Sequence, residues 1–170
     1  ILPRYADFDK GHQRDHAESV IQESLILAQE HGADKDMAYT IAAYHDLGIP
    51  QGRDTHHLTS ARCLLEDDKL KEWFTDEQLI LMAEAIEDHR ASSKNSPRSL
   101  YGKIVAEADR MIDAETVIRR TIQYGLSHYP DLGKEEQYRR MVHHMHEKYA
   151  EGGYLKLWFA ESSNAKRLDE

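Results

Sequence analysis

A single cysteine, Cys63, rules out an intrachain disulfide and fits a reducing, cytoplasmic setting. Prolines number four and glycines nine in 170 residues, with no tract rich in either, so nothing marks an interdomain linker. No run approaches the roughly 18 apolar residues of a membrane span. The opening ILPRYADFDKGH has no basic stretch leading into an apolar one, so no secretory leader is expected. Positive charge is scarce too: 22 Lys and Arg stand against 31 Asp and Glu, a net charge of -9. That balance opposes binding to a nucleic-acid polymer or an anionic membrane, both of which need a positive field. A small anionic substrate stays allowed, because a bound metal inverts the local sign.

Strand-like alternation is also missing. What the chain has instead is helical apolar spacing almost throughout and eleven histidines. Segment 12–31 carries Ala17, Val20, Ile21, Ser24, Leu27 and Ala28 on one stripe, with His16 at its edge and Gly32 as the expected C-cap. Segment 34–47 opens on Asp34 as N-cap and turns apolar nearly all round from Ile41 to Leu47, the mark of a buried central helix. A short amphipathic helix with Ala61, Leu64 and Leu65 follows over 56–67. Thr75 and Gln78 form a capping-box signal for a helix over 75–90, whose apolar face ends at His89. A helix over 98–112 buries Leu100, Ile104, Val105, Ala108 and Met111, with Asp109 at the border of its stripe. Further helices are expected near 114–127 and 134–150. The class is all-α: one domain over 1–170, with a core over about 11–115 and a C-terminal helical extension over 116–170.

The stretch AAYHDLGIPQG, Ala42 to Gly52, ends an apolar helix on His45-Asp46. An aspartate is rarely buried unless paired or metal-bound. A helix C-terminus is already partly negative, so a carboxylate there is unfavourable by itself. A cation held between the carboxylate and an imidazole reverses the sign. Adjacent helical residues point about 100° apart, so further ligands must come from other helices. The candidates at the edges of buried stripes are His16, His89 and Asp109, with His56 or His57 opening the short third helix.

The order His16, His45-Asp46, Asp109 resembles the H…HD…D signature of the HD-domain metal-dependent phosphohydrolases. GHQRDHAESV, HDLG, HHLTSA, AIEDH and IVAEADRM match the local contexts in order, over roughly residues 11–115. The resemblance implies an HD-type helical bundle with His16, His45, Asp46 and Asp109 as metal ligands. It further implies hydrolysis of a phosphate ester or anhydride of a small molecule, with nucleotides among the candidates. Asp46 would also orient the attacking water, and His89 and His56 would hold a second metal, bind phosphate or protonate the leaving group. A lysine that follows the doublet in many members is replaced here by Ile49, which leaves Arg53, Arg14 or Lys94 to clamp phosphate. Glu18 is a candidate to orient a ligand, and His12 a supporting residue near His16.

Two imidazoles and two carboxylates without thiolate suit Mn²⁺, Fe²⁺, Zn²⁺, Co²⁺ or Ni²⁺ better than Mg²⁺. With His56 and His89 added, six donors could hold two ions. Two other readings of the same residues remain: a di-iron oxygenase-like protein, and a regulatory module that binds a nucleotide without turning it over. VHHMHEK, Val142 to Lys148, places His143 and His146 on one face with no third helix to complete a site, and reads as solvated.

Overall fold

The computed structural model describes residues 1–8, 14–93, 95–110 and 112–169. His12, Lys94 and Met111 lie outside them. Among the described residues eight α-helices carry the fold: α1 (Arg14–Glu30), α2 (Lys35–Tyr44), α3 (His56–Leu65), α4 (Asp76–Asp88), α5 (Leu100–Ala108), α6 (Ala114–His128), α7 (Lys134–Tyr149) and α8 (Ser163–Asp169). Short 3₁₀ turns span Leu2–Asp7, Ile49–Gln51 and Asp68–Glu72. No strand occurs among the described residues, so the all-α expectation holds. None of the described helices is long and apolar enough to cross a membrane.

The chain divides into two compact units, Ile1–Asp109 and Arg110–Glu170. In the first, α2 is the central helix and packs against α1, α3, α4 and α5. Its composition explains the position. Met37, Ala38, Ile41, Ala42, Ala43 and Tyr44 are all buried, and the alanines let neighbouring helices approach closely. The stripe expected on α1 is buried as well, from Ala17 through Val20, Ile21, Ser24 and Leu27 to Ala28. Gly32 ends that helix with φ 67°, and Ala33 N–H reaches back to Ala28 O at 2.8 Å.

The caps also follow the sequence. Asp34 Oδ1 accepts from Asp36 N–H at 2.8 Å and Met37 N–H at 3.1 Å. Thr75 and Gln78 form the reciprocal capping box at the head of α4. Two boundaries differ from expectation. α5 is shorter than 98–112 because Ser99 caps it, its Oγ accepting from Gly102 N–H at 3.1 Å. Leu100, expected in the core, is 38% exposed. α2 stops at Tyr44 rather than 47, so His45 and Asp46 stand just beyond the helix and not in its last turn.

In the second unit, α6 packs on α7 through Val117, Thr121 and Gly125. Arg140 donates to Thr121 O at 2.5 Å, and Gln137 Nε2 to Gly125 O at 3.1 Å. His143 and His146 are exposed, and His143 pairs with Glu147 at 3.4 Å.

Candidate metal centre

Every candidate donor sits at a helix end in the first unit. His16 lies in the first turn of α1. His45 caps the C-terminus of α2 and Asp46 follows it. His56 opens α3, while His89 and Asp109 are the C-caps of α4 and α5. Three helix C-termini therefore converge with their partly negative carbonyl ends, an arrangement that favours a cation.

Those carbonyls also aim the imidazoles. His45 Nδ1–H donates to Ala42 O at 2.7 Å, and His89 Nδ1–H to Ile86 O at 2.6 Å. His56 Nδ1–H donates to Arg53 O at 2.6 Å. In each case a ring bonds the carbonyl three residues earlier, two of them in the last turn of a helix where amide partners run out. In the neutral form of each ring Nδ1 therefore keeps the proton and Nε2 is the atom left to bind an ion.

The Nε2 atoms meet the two carboxylates in two donor sets. In the first, His16 Nε2 lies 3.2 Å from Asp109 Oδ1 and 3.6 Å from Asp46 Oδ2. His45 Nε2 lies 3.3 Å from Asp46 Oδ2 and 3.8 Å from Asp109 Oδ1. In the second, Asp46 Oδ1 lies 3.4 Å from His56 Nε2 and 3.6 Å from His89 Nε2. His56 Nε2 and His89 Nε2 are 3.1 Å apart. Asp46 thus turns one oxygen to each set. His57 stands beside His56, ring centroids 5.7 Å apart, and belongs to neither.

The sequence pattern of the HD domain matches residues 14–112, more than half of the chain. The chain belongs to the HD-domain family. Among solved structures, a predicted HD superfamily hydrolase from an uncultured Thermotogales bacterium superposes with a TM-score of 0.58 at 24% identity. The match covers 83% of this chain and 78% of that one, and at this identity it is a likeness of fold. No curated protein matches the chain.

HD domains bind divalent metals, and the residues of this one fit such an ion. Two donors bound at about 2.1 Å and separated by 90–110° lie about 3.0–3.4 Å from each other. The donor separations here fall around that value. His45 Nε2 is fully buried and makes no hydrogen bond. His56 Nε2 and His89 Nε2 lie within hydrogen-bond distance of each other, so the two rings converge on one spot that a proton or a cation can share.

The electrostatics of this HD domain point the same way. Burial disfavours the His45 imidazolium, yet the Asp46 and Asp109 carboxylates outweigh it and raise its pKa to about 9. His16 is also raised against the same burial penalty, by Asp109 and then Asp46. Burial works against the Asp46 carboxylate as well, but His45 and the surrounding imidazoles hold it well below the usual range. Asp109 is lowered through His16 in the same manner. His56 is pushed down to about 4, by burial first and then by the charge of His89. Asp109 and His56 keep side chains 21% and 12% exposed, against 5% or less for His16, His45, Asp46 and His89, so solvent reaches the centre on their side.

The proposed phosphate clamps are placed less tightly. Arg14 bonds Glu18 at 2.7 Å on the surface of α1, which makes Glu18 an exposed ion-pair partner rather than a prop for a ligand. Arg53 is exposed, and its carbonyl holds His56. Sequence reasoning missed Arg90. Its Nη1 donates to Asp54 O at 2.6 Å, which ties the end of α4 to the loop ahead of His56. Only its position next to His89 signalled it.

Gly48 stands beyond the end of α2, at the head of the Ile49–Gln51 turn, and lets α3 approach. Its N–H donates to Ser60 Oγ at 2.8 Å, and α3 packs directly on its backbone. A Cβ there would collide with Thr59 Oγ1, lie 2.5 Å from His56 O and 2.7 Å from Ser60 N. Two of these are backbone atoms of α3, so the clash moves the helix that carries His56. Gly48→Ala is expected to cost about 3 kcal/mol, the upper end of overpacking. Urea denaturation of the metal-free protein checks this; a loss under about 1 kcal/mol would show the contact to be soft.

Proposed function

We propose that this protein is a metal-dependent phosphohydrolase that cleaves a phosphate ester or anhydride of a small molecule, with nucleotides first among the candidates. The observation that carries the reading is the Asp46 carboxylate, with Oδ2 facing His16 and His45 and Oδ1 facing His56 and His89. In this reading His16, His45, Asp46 and Asp109 hold one divalent transition metal, and Asp46, His56 and His89 hold a second. Such ions lower the pKa of water and polarise a phosphoryl oxygen.

The protein's own residues do the rest. Backbone carbonyls fix the rings of His45, His56 and His89 so that Nε2 faces inward. With Nδ1–H committed and Nε2 turned to the donor set, His56 and His89 act better as ligands than as proton donors. Asp46 holds the two sets in register. Arg14 and Arg53, both exposed and close in sequence to His16 and His56, are the proposed contacts for substrate phosphate. The acidic net charge restricts the substrate to a small molecule that the metals themselves attract.

The test is phosphate release from a panel of nucleotides and model esters by protein stripped of metal and reloaded with Mn²⁺, Fe²⁺, Co²⁺, Ni²⁺ or Zn²⁺. Release with at least one metal, abolished by a chelator, is expected. No release from any substrate with any metal overturns the reading. The bridged set of four histidines and two carboxylates equally suits two irons, so metal content decides the competing oxygenase reading. Two irons with no phosphatase activity would favour it.

A further inference from the structure

We infer that Tyr5, from the 3₁₀ turn ahead of α1, is a positioning residue of the metal centre: its hydroxyl bonds Ala43 O and pins the end of α2, from which His45 and Asp46 follow. The inference rests on the metal reading above. Tyr5 precedes the residues that match the HD domain and is 0% exposed. Its ring packs on Phe8 at 4.9 Å between centroids, which sets the angle at which it enters beneath α2.

The argument starts from the end of α2. A helix that stops at Tyr44 leaves its last carbonyls without amide partners. Ala42 O is taken by His45 Nδ1–H and Tyr44 O by Leu47 N–H at 3.1 Å. Ala43 O is taken by the Tyr5 hydroxyl, which donates at 3.1 Å. Burial, and then the nearby Asp46 carboxylate, raise the pKa of this phenol, so it stays a proton donor. A hydroxyl is suited to this place because it donates to a free carbonyl without bringing a charge into the core. Ala43 lies two residues before His45 and three before Asp46, so the bond fixes the backbone that sets where the two carboxylate oxygens of Asp46 fall. Phenylalanine would keep the ring and the packing but would strand a buried carbonyl.

The test compares the unaltered chain with Tyr5→Phe and with Leu79→Val. Leu79 is buried at the head of α4, the end away from His89, and serves as a control for stability alone. Titration with Mn²⁺ is expected to show about 10–100-fold weaker binding to Tyr5→Phe, the range for residues that orient ligands. The absorption spectrum of bound Co²⁺ should shift in Tyr5→Phe and not in Leu79→Val. Equal Mn²⁺ affinity and an unchanged Co²⁺ spectrum in Tyr5→Phe, with only its melting temperature lowered, overturn the inference. Hydrogen exchange on the metal-free proteins gives a second measurement. In Tyr5→Phe the Ala43 and Tyr44 amides, in the last turn of α2, should exchange faster than in the unaltered chain, and unchanged rates there overturn the inference. If the unaltered chain binds no transition metal, the functional reading fails and takes this one with it. If it binds metal and Tyr5→Phe matches it, this inference fails alone.

Discussion

Asp46→Asn is expected to lower kcat about a thousandfold or more, equivalent to about 4 kcal/mol of transition-state stabilisation. Asparagine keeps the size and removes the charge. Both carboxylate oxygens are engaged, Oδ2 with His16 and His45, Oδ1 with His56 and His89, so one change strikes both donor sets. Of the four histidines in the two donor sets, Asp109 approaches His16 and His45, so Asp109→Asn should lose one ion and keep the other. Metal analysis after dialysis separates the two variants: Asp46→Asn should lose both ions and Asp109→Asn one. The stabilisation conferred by metal should also collapse in Asp46→Asn, since a site filled at 1,000 times its Kd adds about 4 kcal/mol. Full metal content in Asp46→Asn would show that Asp46 is not the bridge.

Metal binding is expected to release at least one proton at neutral pH and to weaken steeply on acidification. In the metal-free protein His45 is raised to about 9, against its burial, by the Asp46 and Asp109 carboxylates. It therefore holds a proton at pH 7, and that proton must leave before Nε2 can bind an ion. The sign follows. Apparent affinity rises with pH up to about 9, by about tenfold per pH unit for each proton displaced, and falls by the same factor as the pH drops. His16, raised by Asp109 and Asp46, adds to the effect. His56, pushed down to about 4, is already neutral and adds no proton at pH 7. Isothermal titration in buffers of different ionisation enthalpy counts the released protons. Identical heats in all buffers would contradict the assignment of His45 as a ligand.

Much of the scaffold could be read from the chain. Helical spacing placed α1 to α7 within a few residues, and the caps at Asp34 and Thr75 were visible because side chain and amide lie close in sequence. The end of α2 was placed three residues too late. The apolar run continues to Leu47, but His45 bonds Ala42 O through its own ring and halts the helix. Leu100 was misplaced because a stripe does not reveal that its first residue lies on the solvent edge of the helix.

The sequence by itself determined the helical class, the HD order of His16, His45-Asp46 and Asp109, and the chemistry that imidazole and carboxylate can offer a metal. Those properties reside in residue type and local spacing. Only the tertiary structure decided that His56 and not His57 meets His89, that one carboxylate of Asp46 faces two donor sets, and that Tyr5 lies beneath the doublet. Each depends on how separate helix ends converge. A shift of one residue in a helix rotates its side chain by about 100°, and the distances that define a metal site tolerate only a few tenths of an ångström.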